Sequence, residues 1–164
     1  MSAPRPASRP TIRSWPDRAA FTLVEIMVVV VIIGLLAAMA LPAFQRVRRR
    51  AVNTRYINDA RQIRDGAESY ALENGSFPPN GIGALHPSLR GYVPASVFNG
   101  TSTPLGGVWD WDYQQDGFTA SISVYQFTVS DAQLVEIDRT IDDGDLNAGL
   151  FRKIGSKAVL IIQP

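Results

Sequence analysis

The sequence has no cysteine among its 164 residues and a single histidine, His86. The first absence excludes disulfides, thiolate metal sites and cysteine nucleophiles. The second leaves a Ser-His-Asp triad arithmetically possible but excludes a multi-histidine metal site. His86 stands before Pro87 in a stretch that reads as loop, where a structural role outweighs that of a base. No phosphate-binding loop, metal-ligand cluster or nucleophile–base pair stands out, and the chain reads as a non-enzyme. Excess charge of one sign is also lacking, since 16 Lys and Arg face 15 Asp and Glu. The balance hides segregation. Residues 1–20 hold four Arg against one Asp, residues 21–73 seven Arg against five acids, and residues 74–164 five bases against nine acids. The length suits one domain with a real core.

What is present in excess is one long apolar run. Ile26 to Leu41 has no polar side chain, and extending back to Phe21 adds only Thr22 and Glu25 as polar members. As a helix, these residues would span about 32 Å at 1.5 Å per residue, close to the roughly 30 Å of a bilayer core. A buried core helix would show a polar face, so the segment is read as entering a membrane. Residues 1–20, with four Pro and four Arg, cannot bury a core and read as a disordered or leader segment. Three membrane readings compete. One is a plain signal anchor, and another a signal peptide cut after Ala38-Met39-Ala40. The third is a leader cut in front of the apolar run.

Glu25 helps to separate them. A carboxylate costs about 2.5–3.5 kcal/mol at the centre of a spanning helix, less near an interface, and neither an anchor nor a signal peptide calls for one. A local alternative is a helix N-terminal acid favoured by the helix dipole. The stretch Arg18…Ala20-Phe21-Thr22-Leu23-Val24-Glu25, followed by the apolar run and then Pro42, resembles the processing motif of type IV pilins and type II secretion pseudopilins. The resemblance covers residues 18–44. It implies cleavage between Ala20 and Phe21, N-methylation of Phe21, and assembly through Phe21 and Glu25, with Pro42 at the family's kink position. Ala20 replaces the family's usual Gly, which implies slower cleavage. Physically, the new cationic amine of one subunit could pair with Glu25 of a neighbour, which would lower the cost of a buried carboxylate and fix axial register. Arg46, Arg48, Arg49, Arg50 and Arg55 crowd the far flank, so charge alone does not set topology. Lipid headgroups could take this cluster. It has no aromatic platform, which argues against a nucleic-acid partner, and a solvated or intersubunit-paired helix face fits better.

Beyond Pro42, which should bend the helix or loosen the turn before it, a helical rhythm resumes. Phe44, Val47 and Ala51, then Tyr56, Ala60, Ile63, Ala67 and Tyr70, mark one face. Asn74-Gly75 and Pro78-Pro79 end the helix near Glu73. The stretch Tyr70…Glu73-Asn74-Gly75-Ser76-Phe77-Pro78 resembles the helix end of type II secretion pseudopilins. Residues 80–106 read as loop, with a short helical turn near Gly83–Leu85. Val108–Tyr113 alternates aromatics with acids, and Phe118–Val124 alternates apolar with hydroxyl residues. Asp116-Gly117 joins them as a hairpin. The Trp109/Trp111 face could stack a sugar or base, but covering the helix is the better reading. A short helix at Asp131–Ile141, capped by Ser130 or Asp131, and strands Leu150–Ile154 and Ala158–Ile162 follow. In the loop 142–149, Asp143, Asp145 and Asn147 alternate as calcium ligands could. The glycine is one place late for an EF-hand and the twelfth-position Glu is missing, so a polar turn is the competing reading.

Together these readings give an α+β, pilin-like fold with a long N-terminal helix on a small antiparallel sheet. Expected divisions are a leader at 1–20, a membrane and assembly helix at 21–42, and a head at 43–164 that includes the helix's second half. The resemblance implies a structural subunit of a type II secretion pseudopilus or type IV pilus-like filament. Its partners would be a prepilin peptidase, copies of itself and other pilins or pseudopilins, and an inner-membrane assembly platform. It implies a single-pass inner-membrane protein with a periplasmic head, and no cofactor, calcium aside. The rival readings are a soluble binding module released after Ala40 and a non-polymerising anchored protein.

Overall fold

The computed structural model describes residues 21–81, 84–98 and 102–164. Helix α1 runs from Leu23 to Asn74, and the chain divides into two compact units within it, at residue 42. In the first unit, every described side chain is exposed and apolar ones such as Ile26, Val30 and Leu36 lie bare. Such a surface needs lipid or other helices around it.

The second unit has its own core. From its start, α1 runs to Asn74 and is stopped by Gly75, whose φ of 77° is costly for any residue with a Cβ. Tyr56, Ile57, Ala60, Ile63 and Ala67 of α1 are buried, which bears out the helical rhythm. Phe44, Val47 and Ala51 follow the same rhythm but remain exposed. The apolar stripe therefore continues past the point where the head covers it.

After α1 come a 3-10 turn at Pro87–Leu89 and helix α2 at Ala95–Phe98, both in the region read as loop. His86 caps the turn, its Nδ1 accepting the Ser88 N–H at 3.3 Å, which is a structural role. Of the turn expected near Gly83–Leu85, Gly83 lies outside the described residues, and Ala84 and Leu85 are not helical.

Four antiparallel strands follow: β1 (Val108–Gln115), β2 (Phe118–Tyr125), β3 (Phe151–Ile154) and β4 (Lys157–Gln163), in the order β1-β2-β4-β3. The β1–β2 hairpin turns at Asp116-Gly117, both with positive φ, as a two-residue hairpin loop requires. Helix α3 (Asp131–Ile141) links β2 to β3 and lies on the helix side of the sheet, adding Leu134 and Ile137 to the core.

Register sets the two faces of the sheet. Trp109, Trp111, Ile122, Val124, Ala158, Leu160 and Phe151 line up toward α1. Tyr56 stacks on Trp109 at 5.4 Å and meets Phe151 edge-on at 6.0 Å. Trp111 is fully buried and donates its indole N–H to the Pro78 carbonyl at 3.0 Å. Both tryptophans are core, and neither offers a face to a sugar or base. On the opposite face, Lys157 reaches Asp112 at 2.9 Å, Asp110 at 3.5 Å and Asp116 at 3.6 Å. The Ser123 hydroxyl donates to Asp112 at 2.6 Å. A strand pattern that looked half-solvated is thus closed by a charge cluster.

Candidate functional site

The N-terminal end of α1 is built from a four-residue pattern. Thr22 precedes the first helical residue, and Glu25 sits three places later, a capping-box spacing. The Glu25 carboxylate accepts the Thr22 backbone N–H at 2.8 Å and its hydroxyl at 2.7 Å. In return, Thr22 Oγ1 accepts the Glu25 N–H at 3.2 Å. Two otherwise unpaired amides of the helix start are satisfied reciprocally. Glu25 therefore has a local partner in the single chain. Its neighbour Phe21 is 80% exposed. Ala20 lies outside the described residues, as does the whole segment 1–20.

Pro42 lies inside α1, which is helical on both sides of it. With no N–H to donate, it leaves the Ala38 carbonyl without its intrahelical partner. Ala38-Met39-Ala40 is likewise helical.

Within the second unit, the arginine cluster divides. Arg49 pairs with Glu136 of α3 at 2.7 Å, and Arg55 meets Asp59 at 3.8 Å. Buried Asn53 accepts from Gln133 at 2.8 Å, so α3 is fixed to α1 by a polar network as well as by its apolar face. A cleft of about 440 Å³ between α1 and α3 is lined by Arg46, Arg49, Arg50, Asn53 and Glu136.

In the acidic loop, the Asp145 carboxylate accepts both the backbone and side-chain N–H of Asn147 at 3.0 Å. Asp143 takes the Asp145 N–H at 2.8 Å but also faces Asp142 and Asp138, with ligand oxygens of all three within 4.8 Å of one another. Asp138 comes from the last turn of α3 and is fully buried. Burial foremost, and then the charges of Asp143 and Asp142, push its carboxyl up to about 6. A reading confined to the loop misses Asp138. The signal was its position one helical turn before Asp142, at a helix end whose dipole disfavours acids.

With this geometry established, comparisons place the chain among known proteins. Residues 15–41 match the prokaryotic N-terminal methylation motif. The chain is 38% identical over 105 residues to the type IV major pilin protein PilE1 of Neisseria gonorrhoeae, covering 62% of this chain and 47% of that one. It is 36% identical over 80 residues to the type IV wide pilus major component PilA4 of Thermus thermophilus, covering 47% and 58%. The aligned stretches thus span about half the length of these relatives. In fold it resembles the major type IV pilin PilA1 of Clostridium difficile, with a TM-score of 0.52 at 14% identity, over 73% of this chain and 98% of that one. A long helix on a small antiparallel sheet, behind a methylation motif, is the arrangement in which this chain is similar to type IV pilins.

Proposed function

We propose that the chain is a structural filament subunit, cut between Ala20 and Phe21 by a prepilin peptidase and methylated on Phe21. In this reading it is held in the inner membrane by residues 21–42 with its head in the periplasm, and is polymerised through α1 at an assembly platform. The observation that carries it is the exposed apolar helix of residues 21–41, whose one acid lies at the third helical position within the matched motif. Lipid can cover that surface in a monomer and neighbouring helices can cover it in a filament. The major-pilin relatives favour a type IV pilus over a pseudopilus. The pseudopilus reading has its own support in the Asn74-Gly75…Pro78 end of α1, where Gly75 takes the left-handed conformation.

N-terminal peptide mass spectrometry on the membrane-extracted protein tests the proposal. A start at Phe21, one methyl heavier, supports it. A start at Leu41 overturns it in favour of a secreted module, and an uncut N-terminus overturns it in favour of an anchor. Glu25→Ala is then expected to leave membrane insertion intact and abolish filaments. Normal filament yield from that variant would refute the role of Glu25.

A further inference from the structure

We propose that the cleft between α1 and α3 holds the phosphate of an anionic phospholipid headgroup, with Arg46 and Arg50 as its ligands. The proposal rests on the membrane anchoring proposed above, and the cleft itself lies entirely within the second unit.

Arg46 and Arg50 stand four residues apart in α1, so they project from one face of the helix. Like charges at that spacing repel and weaken the helix, and an anion between them relieves the repulsion. No acid of the chain does so, because neither arginine has an ion pair among the described residues. The cleft's one carboxylate, Glu136, is already held by Arg49 at 2.7 Å and by the Asn53 amide at 3.4 Å. Arg46, Arg49 and Arg50 against Glu136 leave the lining with an excess of two positive charges.

The donor chemistry suits a phosphodiester. A guanidinium presents paired N–H donors that match two phosphate oxygens. Thr54, in the same lining, adds a neutral hydroxyl. The volume of about 440 Å³ falls in the range of small-molecule sites, so the glycerol beside the phosphate also has room. No lining residue is aromatic and no base can stack there, which disfavours a nucleic-acid strand.

Connectivity selects lipid as the source of the phosphate. Arg46 follows Leu41, the last residue of the apolar run, by five positions. The chain therefore delivers the cleft to the headgroup layer of the bilayer that residues 21–41 enter. In the proposed topology these arginines stand on the translocated side, where an excess of Lys and Arg is normally avoided. A phosphodiester at the membrane surface offsets them there.

The test uses full-length protein reconstituted in phosphatidylcholine bilayers, with spin-labelled phosphatidylglycerol or phosphatidylcholine as the probe in electron paramagnetic resonance. The expected result is a preference for phosphatidylglycerol of at least about fivefold, which one arginine at an anionic surface supplies. Arg46→Gln with Arg50→Gln should abolish that preference. Arg48→Gln with Arg55→Gln, an equal charge loss outside the cleft lining, should retain it. Equal association of both lipids with wild type would overturn the proposal, as would equal losses in the two double variants. Detergent-solubilised protein titrated with inorganic phosphate separates the sources, and binding at millimolar phosphate or below would overturn lipid in favour of free phosphate. Displacement of the labelled lipid by a short DNA duplex would overturn it in favour of nucleic acid. Flotation with pure phosphatidylcholine vesicles checks the anchoring separately. Protein that fails to float overturns the membrane reading and this proposal with it, whereas protein that floats without the lipid preference overturns this proposal alone.

Discussion

At the residue scale, two polar groups on opposite sides of the sheet differ sharply in their circumstances. Tyr56 is stacked on Trp109 and meets Phe151 edge-on, yet its hydroxyl is buried without a partner, and burial holds it protonated far above the ordinary tyrosine range. Tyr56→Phe keeps the ring contacts and removes an unsatisfied group, so it should stabilise the head by about 1 kcal/mol, read as a higher denaturant midpoint. Lys157 is the converse case. Burial works against its charge, but the Asp112 hydrogen bond and the Asp112, Asp110 and Asp116 carboxylates prevail and raise its pKa above the ordinary 10.5. A raised lysine stabilises fully below its unfolded value and fades as pH climbs through the folded one. Lys157→Met should therefore cost about 1 kcal/mol at pH 7, a figure reduced because solvent reaches and screens the lysine, and the difference from wild type should shrink only above about pH 10. Denaturant unfolding of both proteins across pH 7–11 checks the sign. A gap that closed below pH 9 would contradict it.

At the element scale, the fit between α1 and the segment after it depends on Gly66. A Cβ there would meet Val93 Cγ2 at 2.8 Å and the Tyr92 carbonyl oxygen at 2.9 Å. Alanine gains up to about 1 kcal/mol of helix propensity, but the overlap involves backbone and costs about 1–3 kcal/mol. Gly66→Ala should destabilise on balance, by about 1 kcal/mol, with a fall in unfolding temperature as the readout. Much of this architecture was legible in advance because periodicity and turn chemistry are local. The spacing of Tyr56, Ala60, Ile63 and Ala67 marked the buried face of α1, and Asp116-Gly117 marked the hairpin. Periodicity does not say what covers a stripe, however, so Phe44 and Val47 carry the same signal as Tyr56 and stay exposed. Likewise, the one local signal at Asp138, its place one turn before Asp142, does not say that it would be buried. The Thr22–Glu25 box was readable from spacing alone, and it was hidden by the attention that a charge in an apolar run draws.

For the whole molecule, the division at residue 42 separates a part that needs an apolar environment from one that carries its own core. A fragment beginning at Ala43 is therefore expected to be soluble without detergent and to unfold in a single cooperative transition, whereas a chain beginning at Phe21 should require detergent. Circular dichroism melts of the two proteins test this, and a fragment that aggregates or melts without cooperativity would refute it.

The sheet order has a temporal consequence. Strand β4 follows every other element in sequence but lies between β2 and β3. While the polypeptide is still emerging from a ribosome or a translocation pore, β1 and β2 can form their hairpin. Strand β3 has no neighbour until residues 157–163 arrive to be slotted into the gap. Closure of the head is thus a late, all-or-nothing event, deferred until the N-terminal helix has long been free to find its membrane.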